Sequence, residues 1–250
     1  MDHVPRCQEE RPFARRHAHH RGNVGKYWHR VGSCCADNGH KAVICLPSRA
    51  SNERKQLLRA YGAELIEVDG GPNDAIVHAK ELVAAGEGHM CYQYGNPANP
   101  AAHEFGTTVE IARDWPLDVP PDHLVAAYGT GGTLTGASRG MRREYDGIMV
   151  HSVEEILADP IGGMRSQHDP FQPPVANLSL VNHRWEVTHT QAVEKVREIM
   201  TAEGHFVGTS SGAVIHAAQE VLSRFGGAAV TLLPDAGWKY LSGSPWADGL

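Results

Sequence analysis

The chain of 250 residues has no apolar run near the eighteen or more residues that a membrane-spanning helix needs. Its N-terminus also lacks the apolar core of a secretory signal peptide, so we expect no secretion. It has few cysteines, and their odd number has no framework spacing, which favours a reducing compartment. They are Cys7, Cys34, Cys35, Cys45 and Cys91. These absences predict a cytoplasmic protein without a membrane partner.

The net charge of −6 gives no reason to expect a nucleic-acid partner. Residues 1–40 differ from the rest, with seven Lys/Arg against four Asp/Glu and six of the sixteen histidines. This stretch has neither helical nor strand periodicity. Its clustered histidines, His17, His19 and His20, lack the i, i+4 spacing of a helical metal site, and no cysteine pair joins them. We therefore predict that residues 1–35 form a divergent, basic, histidine-rich arm with no metal site.

From about residue 41 onward, short apolar or β-branched runs alternate with helical stretches. Strands are predicted at residues 42–46, 64–68, 90–93, 124–128, 148–151 and 229–233, and helices at residues 52–61, 74–85, 100–114, 134–144, 190–202 and 211–224. Strands alternating with helices of about ten or more residues predict βαβ units and parallel sheets. The fold class is therefore α/β, with ligands expected beyond the carboxyl ends of the strands.

A glycine-rich turn between the strand at 124–128 and the helix at 134–144 is the most specific local feature. It consists of Gly129, Thr130, Gly131, Gly132 and Thr133. Small residues there let backbone amides wrap an anion at the positive end of a helix dipole. The alternative is an ordinary tight turn, because the G-x-G-x-x-G spacing of dinucleotide folds is absent.

Three further segments carry specific residues at strand or helix ends: residues 92–100, 208–213 and 234–242. The first is a rigid turn with side-chain amides available for recognition. In the second, one serine is expected to cap the following helix, which leaves the other for a ligand. In the third, Asp235 either lines a site or caps a turn. Each segment alone is also compatible with a plain turn.

Together with residues 52–64, these segments resemble the cysteine synthase and cystathionine β-synthase family of pyridoxal-phosphate enzymes. The resemblance covers about residues 38–250. It implies the two-domain, tryptophan synthase β-like architecture of fold type II, with mostly parallel sheets flanked by helices, a smaller domain at 36–115 and a larger one at 116–250. It also implies the cofactor pyridoxal 5′-phosphate and a homodimer.

The resemblance also implies roles for individual residues. Gly129, Thr130, Gly131, Gly132 and Thr133 would bind the cofactor phosphate, and Ser210 would hydrogen-bond the pyridine nitrogen. Gln93 would help to hold the carboxylate of an amino-acid substrate. Segments 92–100 and 236–242 look most like the branch that uses O-phosphoserine, in which an arginine binds the substrate phosphate. Arg165 matches that arginine, and its alternative is a surface loop residue.

The lysine that binds the cofactor in this family has no clear match. Gly22 and Asn23 partly match the family loop that binds the substrate carboxylate and the cofactor ring hydroxyl. No lysine precedes Lys26, which we interpret as an exposed lysine, so the catalytic lysine is unknown. One hypothesis is a truncated or frame-shifted gene, which would make the fold incomplete at its N-terminus.

The resemblance implies β-replacement on an activated L-serine, O-phosphoserine or O-acetylserine, in which a sulfur donor gives L-cysteine or a related amino acid. Two alternatives remain open. Without the lysine, activity would fall by several orders of magnitude, leaving a binding module that retains the phosphate pocket. A serine/threonine dehydratase-like lyase is the other alternative.

Overall fold

The structure, a computed structural model, describes residues 19–22 and 28–241. The chain divides into two compact units. The described part of the first unit consists of residues 19–22, 28–92 and 238–241, and the second unit spans Gln93–Gly237. No helix in these described stretches is long and apolar enough to cross a membrane.

The first unit is built on a four-stranded parallel sheet in the order β3-β2-β1-β4. Its strands are β1 (His19–Gly22), β2 (Ala42–Pro47), β3 (Glu64–Val68) and β4 (His89–Met90), and its helices are α1 (Trp28–Asp37), α2 (Asn52–Ala60) and α3 (Pro72–Ala84). Every residue of β2 is buried. Ile44 packs with Val31 of α1 and Leu58 of α2, whereas Cys45 packs with Ala79 of α3. The strand is apolar throughout because helices cover both faces of the sheet.

For residues 1–35 we predicted a histidine-rich arm without helical or strand periodicity. Where the structure describes this stretch, it forms a strand and a helix instead. Strand β1 lies between β2 and β4, with His19 opposite Ala42 and Gly22 opposite Cys45. Residues 28–37 form α1, which packs on β2 through Val31. The sequence His-His-Arg-Gly of β1 has no apolar alternation, and so periodicity does not reveal the strand.

The second unit is built on another four-stranded parallel sheet, in the order β7-β6-β5-β8. Its strands are β5 (His123–Ala127), β6 (Met149–Glu155), β7 (His183–Val187) and β8 (Ala229–Thr231), and its helices are α4 (Ala98–Ala102), α5 (Thr108–Asp114), α6 (Gly132–Glu144), α7 (His189–Glu203) and α8 (Thr209–Phe225). A π-helical turn, His103–Thr107, joins α4 to α5. Leu124 packs in a cluster with Leu134 of α6, whereas Val125 packs in a cluster with Val214 of α8.

The α/β class with parallel sheets is confirmed, and the predicted strands and helices appear with small shifts of their ends. The predicted strand at 90–93 shrinks to β4, because Tyr92 has a positive φ of 27° that an extended strand does not allow. The predicted helix at 100–114 contains the π-helical turn. Strand β7 was not predicted, because it lies at an edge of its sheet and its sequence is mostly polar.

The division of the chain also differs from the predicted boundary between residues 115 and 116. Helix α6 packs closely on α4, the π-helical turn and α5, so these elements belong to the second unit. The closeness comes from three glycines spaced four residues apart on one face of α6. A Cβ on Gly132, Gly136 or Gly140 would overlap Asn99, Pro100 or Thr108, respectively.

The described residues at the C-terminal end, 238–241, belong to the first unit rather than to the larger domain predicted for 116–250. Two contacts join them to α2 and to the residue that precedes it, Ser51. Ser51 Oγ donates to the carbonyl of Lys239 at 3.0 Å, and the guanidinium of Arg54 lies 4.7 Å from the ring centre of Tyr240. A cation is attracted to the face of an aromatic ring, so the second contact stabilises the packing of residues 238–241 on α2.

Helix α8 runs antiparallel to β5. His123 is the first residue of β5, and Gly226 follows the C-terminal end of α8. Nε2 of His123 lies 3.1 Å from the carbonyl oxygen of Gly226. The N-terminus of α8 therefore lies at the carboxyl edge of the sheet. Ligands of open α/β sheets bind at this edge.

A buried histidine pair lies at the opposite, amino-terminal side of the sheet. His123 Nδ1 and His151 Nε2 are 3.1 Å apart, and His151 is fully buried beside the rings of His183 and Phe225. Burial, with a smaller contribution from the two neighbouring histidines, lowers the pKa of His151 from 6.5 to about 4. His151 is therefore neutral in the folded protein at neutral pH.

We expect His151 to make the fold sensitive to acid. Between pH 6.5 and about 4 the unfolded chain binds a proton that the folded chain does not. His151 therefore contributes on the order of 3 kcal/mol of stability above pH 6.5, and this contribution is lost as the pH falls toward 4. Urea unfolding across this pH range measures the loss. His151→Asn should flatten the dependence, whereas His78→Asn on α3 should not; an equally steep dependence in His151→Asn would contradict the assignment.

Candidate functional site

The glycine-rich loop 129–133 lies directly after β5 and opens α6. Helix α6 begins at Gly132, and its preceding residue, Gly131, has a left-handed φ of 80°. The first-turn amides of a helix have no intrahelical carbonyl partner, and they carry the positive end of the helix dipole. The loop thus presents backbone donors at the carboxyl edge of the sheet, an arrangement that suits the anion site expected from the sequence.

The glycines of the loop are required by their neighbours. A Cβ on Gly129 would lie 2.6 Å from the carbonyl oxygen of Gly163, and one on Gly131 would overlap Ala176. A Cβ on Gly132 would overlap Asn99. Three separate segments therefore fix the loop conformation by close packing.

The two threonines of the loop differ in their contacts. Thr130 Oγ1 accepts hydrogen bonds from Asn99 Nδ2 at 3.1 Å and from the amide of Gly132 at 3.2 Å. A hydroxyl has two acceptor sites and one donor, so the Thr130 proton remains for another acceptor. Thr133 Oγ1 lies 3.1 Å from Nε2 of His103.

A second helix N-terminus lies at the same edge of the sheet. Thr209, Ser210 and Ser211 form the first turn of α8 and are buried. The helix is capped by Gly208 rather than by the expected serine, and the amide of Gly208 donates to the carbonyl of Asp235 at 2.9 Å. Asp235, in the segment 234–242 that the sequence also singled out, therefore lies beside the start of α8.

The buried hydroxyl of Ser211 has no hydrogen-bond partner among the residues that the structure describes. Buried polar atoms normally have one, so a ligand atom at this place would satisfy it. Two helix N-termini, threonine hydroxyls and buried serine hydroxyls at one sheet edge suit a group that combines an anionic phosphate with a polar ring. The residues present therefore fit pyridoxal phosphate.

Arg165 lies after β6, also at this edge, and is almost fully buried at 6% exposure. Its Nη1 donates to Asp169 at 2.7 Å, and its guanidinium lies 5.1 and 4.9 Å from the ring centres of Tyr94 and Phe171. Its backbone amide donates to the carbonyl of Tyr128, which precedes the loop. Arg165 is thus a buried, fixed cation beside the loop rather than a surface residue.

A buried carboxyl group, Glu155, lies at the end of β6 close to Arg165. Its Oε2 accepts from the amide of Ile161 at 2.7 Å, and its own amide donates to the carbonyl of Arg165 at 3.3 Å. Burial raises the pKa of Glu155 from 4.5 to about 7, despite the lowering by the Ile161 amide and the Arg165 charge. A carboxyl group that titrates near neutral pH is common at functional sites.

The remaining predicted site residues are placed as follows. Gln93 opens the second unit, and its carbonyl accepts from Asn99 Nδ2 at 2.8 Å. Gly22 ends β1 in the first unit. Asn23 and Lys26 lie outside the described residues. The assignments of Gln93, Gly22 and Asn23 to substrate or cofactor stay predictions.

The lysines within the described residues are all engaged elsewhere. Lys41, Lys55 and Lys195 form ion pairs with glutamates. Lys80 lies 4.7 Å from the ring centre of Tyr92, and Lys239 lies 5.7 Å from that of Trp238. Cys45 is also unreactive, because burial raises its thiol pKa to about 11.

Asn99 lies in the segment 92–100, whose side-chain amides were predicted to be available for recognition, but its contact with the loop was not predicted, and His103 was not identified from the sequence at all. Each contacts the loop across about thirty residues of chain, Asn99 at Thr130 and His103 at Thr133. The signal that could have found them is the spacing of Gly132, Gly136 and Gly140, which predicts a close neighbour along one face of α6.

This fold and this site define a pyridoxal-phosphate enzyme of the α/β type. The family model of the pyridoxal-phosphate dependent enzymes matches residues 29–235, and the chain belongs to that family. The cofactor of the family is pyridoxal phosphate.

Its relatives are similar to it over most of their length. A cysteine synthase of Staphylococcus aureus is 36% identical over 220 residues, which cover 83% of this chain and 70% of that protein. The structure of O-ureido-L-serine synthase superposes with a TM-score of 0.85 at 27% identity, covering 94% of this chain and 78% of the other. A mutant of a hydrogen sulfide-producing enzyme superposes with a TM-score of 0.86 at 25% identity, covering 95% and 75% of the two chains. The chain is thus cysteine synthase-like.

The packing of the loop can be tested by adding one methyl group. Gly131→Ala places a Cβ at a left-handed φ and against Ala176, whereas Gly147→Ala meets a similar φ of 76° in open space. We expect both to lose about 1 kcal/mol from the backbone, and Gly131→Ala to lose a further 1–3 kcal/mol or so from overpacking. Urea unfolding measures the difference, and equal losses would show that the loop is not held by Ala176.

Proposed function

We propose that this chain carries out pyridoxal-phosphate-dependent β-replacement on an activated L-serine, O-phosphoserine or O-acetylserine, to give L-cysteine or a related amino acid. The observation that carries the proposal is the pairing of the loop 129–133 with the buried N-terminus of α8 at one edge of the sheet. Membership of the family and the similarity to cysteine synthases support the same chemistry. A sulfur nucleophile such as sulfide is the proposed second substrate.

In this proposal the loop holds the cofactor phosphate. The amides at the start of α6 donate to the phosphate oxygens, and the helix dipole adds to the attraction. Thr130 contributes its hydroxyl proton, because its oxygen already accepts two hydrogen bonds. When bound, pyridoxal phosphate supplies an electron sink for a carbanion at the substrate Cα.

Ser210 is the proposed partner of the pyridine nitrogen. It is fully buried in the first turn of α8, where water does not compete for its hydroxyl. A neutral hydroxyl leaves that nitrogen largely unprotonated, because it offers no negative charge to stabilise a pyridinium. A neutral hydroxyl at this position would favour loss of the β-substituent when the cofactor is bound.

Arg165 is the proposed specificity residue for O-phosphoserine. A guanidinium has five donors in a planar fork, and in Arg165 this fork is fixed by Asp169 at Nη1 and by the hydroxyl of Tyr94, 3.5 Å from Nη2. The fork matches phosphate oxygens, and burial strengthens its interaction with a dianion. Gln93 is proposed to help to hold the substrate carboxylate.

The alternative from another class is a binding module that retains the phosphate site without catalysis. It is favoured by the absence of a lysine in a family-type motif and by the contacts of the described lysines. A dehydratase-like lyase is the other alternative, and it would release the substrate nitrogen as ammonia instead of adding sulfur. Localisation in the cytoplasm and a homodimer also stay proposals, the latter supported by the family resemblance.

A covalent bond between the cofactor and a lysine would distinguish an enzyme from a binding module. The purified chain is incubated with pyridoxal phosphate, reduced with borohydride and digested for mass spectrometry. For the enzyme we expect a visible absorption band and a reduced cofactor adduct on one lysine, because only a lysine forms the reducible link. Reversible binding without any adduct would favour the binding module, and an adduct on Lys26 would also overturn our interpretation of that residue.

The leaving group is tested by substitution of Arg165. We expect Arg165→Gln to lower kcat/KM for O-phosphoserine at least about tenfold, because a charge-assisted hydrogen bond is lost, and to leave O-acetylserine turnover nearly unchanged. The matched control is Arg184→Gln, since Arg184 also forms an ion pair, with Glu154 at 2.9 Å, but its side chain is more exposed than that of Arg165. Equal loss with both substrates would count against a phosphate-binding role, and ammonia release without sulfide uptake would favour the lyase.

A further inference from the structure

The π-helical turn between α4 and α5 places one histidine against the start of α6. The turn begins at His103 and ends at Thr107. Turns of this kind are rare and are frequent at functional sites. Helix α6 approaches the turn closely, since a Cβ on Gly136 would lie 2.9 Å from Cβ of His103.

Both ring nitrogens of His103 contact threonine hydroxyls. Nε2 lies 3.1 Å from Oγ1 of Thr133 in the loop, and Nδ1 lies 3.0 Å from Oγ1 of Thr107. Burial lowers the pKa of His103 below its usual value of 6.5, so the ring is neutral at neutral pH. A neutral imidazole has one donor nitrogen and one acceptor nitrogen.

The two tautomers have opposite effects on the Thr133 hydroxyl. If Nε2 accepts, Thr133 spends its only proton on the ring and presents lone pairs elsewhere. If Nε2 donates, Thr133 keeps its proton for a further acceptor, and Thr107 donates to Nδ1. An anion at the start of α6 favours the second arrangement, because lone pairs that face a phosphate are repulsive.

We propose that His103 is a positioning residue, which donates through Nε2 to Thr133 Oγ1 and thereby directs the Thr133 hydroxyl proton toward the bound phosphate. This inference rests on the phosphate site that we assign to the loop under the proposed function. The π-helical turn brings the ring within reach of Thr133, and the glycine face of α6 allows the approach. His103 does not contact the phosphate in this arrangement; it acts through Thr133.

The probes are pyridoxal 5′-phosphate and inorganic phosphate, whose binding to the full chain is measured by equilibrium titration and by the ³¹P resonance of the bound phosphate. His103→Leu should weaken binding of both probes about tenfold, the effect of losing one hydrogen bond to a charged group. Thr133→Val should weaken it by a similar factor. His103→Gln should restore most of the affinity, because its amide NH₂ group can donate to Thr133.

The double variant gives the sharpest result. If His103 acts only through Thr133, His103→Leu with Thr133→Val should bind no more weakly than Thr133→Val alone, and the ³¹P shift should match. Independent, multiplying losses would overturn the inference, as would full affinity in His103→Leu. Failure of His103→Gln to bind better than His103→Leu would overturn it as well.

A matched control separates positioning from a general loss of packing. Thr108 is the first residue of α5, directly after the π-helical turn, and it is fully buried. Its hydroxyl donates to the carbonyl of Glu104 and not to the loop. Thr108→Val should lower stability but leave phosphate affinity within about twofold of the unmodified chain, the experimental scatter of distant sites. A loss equal to that of His103→Leu would assign the effect to packing and overturn the inference. An unmodified chain that binds neither probe would instead overturn the phosphate site itself, and the role of His103 with it.

Discussion

The close packing of α6 on its neighbours is the contact on which the candidate site depends. Gly132, Gly136 and Gly140 lie along one face of the helix, and each meets an atom that a side chain would displace. Because the backbones are so near, the short side chains of Asn99 and His103 reach the loop hydroxyls directly. Dense packing of this kind resists small displacements, so the loop geometry is set before any ligand arrives.

Much of the fold could be predicted from the sequence because most elements have a clear period. Strands β2 and β5 are apolar runs bounded by turn residues, and α7 shows helical spacing between a threonine cap and a C-terminal glycine. Strands β1 and β7 were missed for a physical reason. Strand β1 is a short polar stretch that is joined to β2 and β4 by backbone pairing, which no periodicity records. Strand β7 packs on the core through only Trp185 and Val187, and two apolar positions make too short a pattern to predict a strand.

The candidate site was predictable only where one short segment carries it. The loop 129–133 and the start of α8 have distinctive residues in a row, and the structure places both at one sheet edge. The burial of Arg165 between two rings and the raised pKa of Glu155 depend on segments far apart in the chain, which a single sequence does not bring together. Residue type suggested the charge of Arg165, but only the fold shows its surroundings.

The hydrogen bonds of the buried histidines on the amino-terminal side of the sheet run in one fixed direction from donor to acceptor. The indole of Trp185 sets that direction. Trp185 Nε1 lies 3.1 Å from His151 Nδ1, and an indole nitrogen can only donate. His151 must then carry its proton on Nε2 and donate to Nδ1 of His123, whose own proton points at the carbonyl of Gly226. Trp185, His151 and His123 therefore form one chain of hydrogen bonds that crosses three strands, with all donors pointing the same way. Its positive end faces the last carbonyls of α8, where the helix dipole is negative.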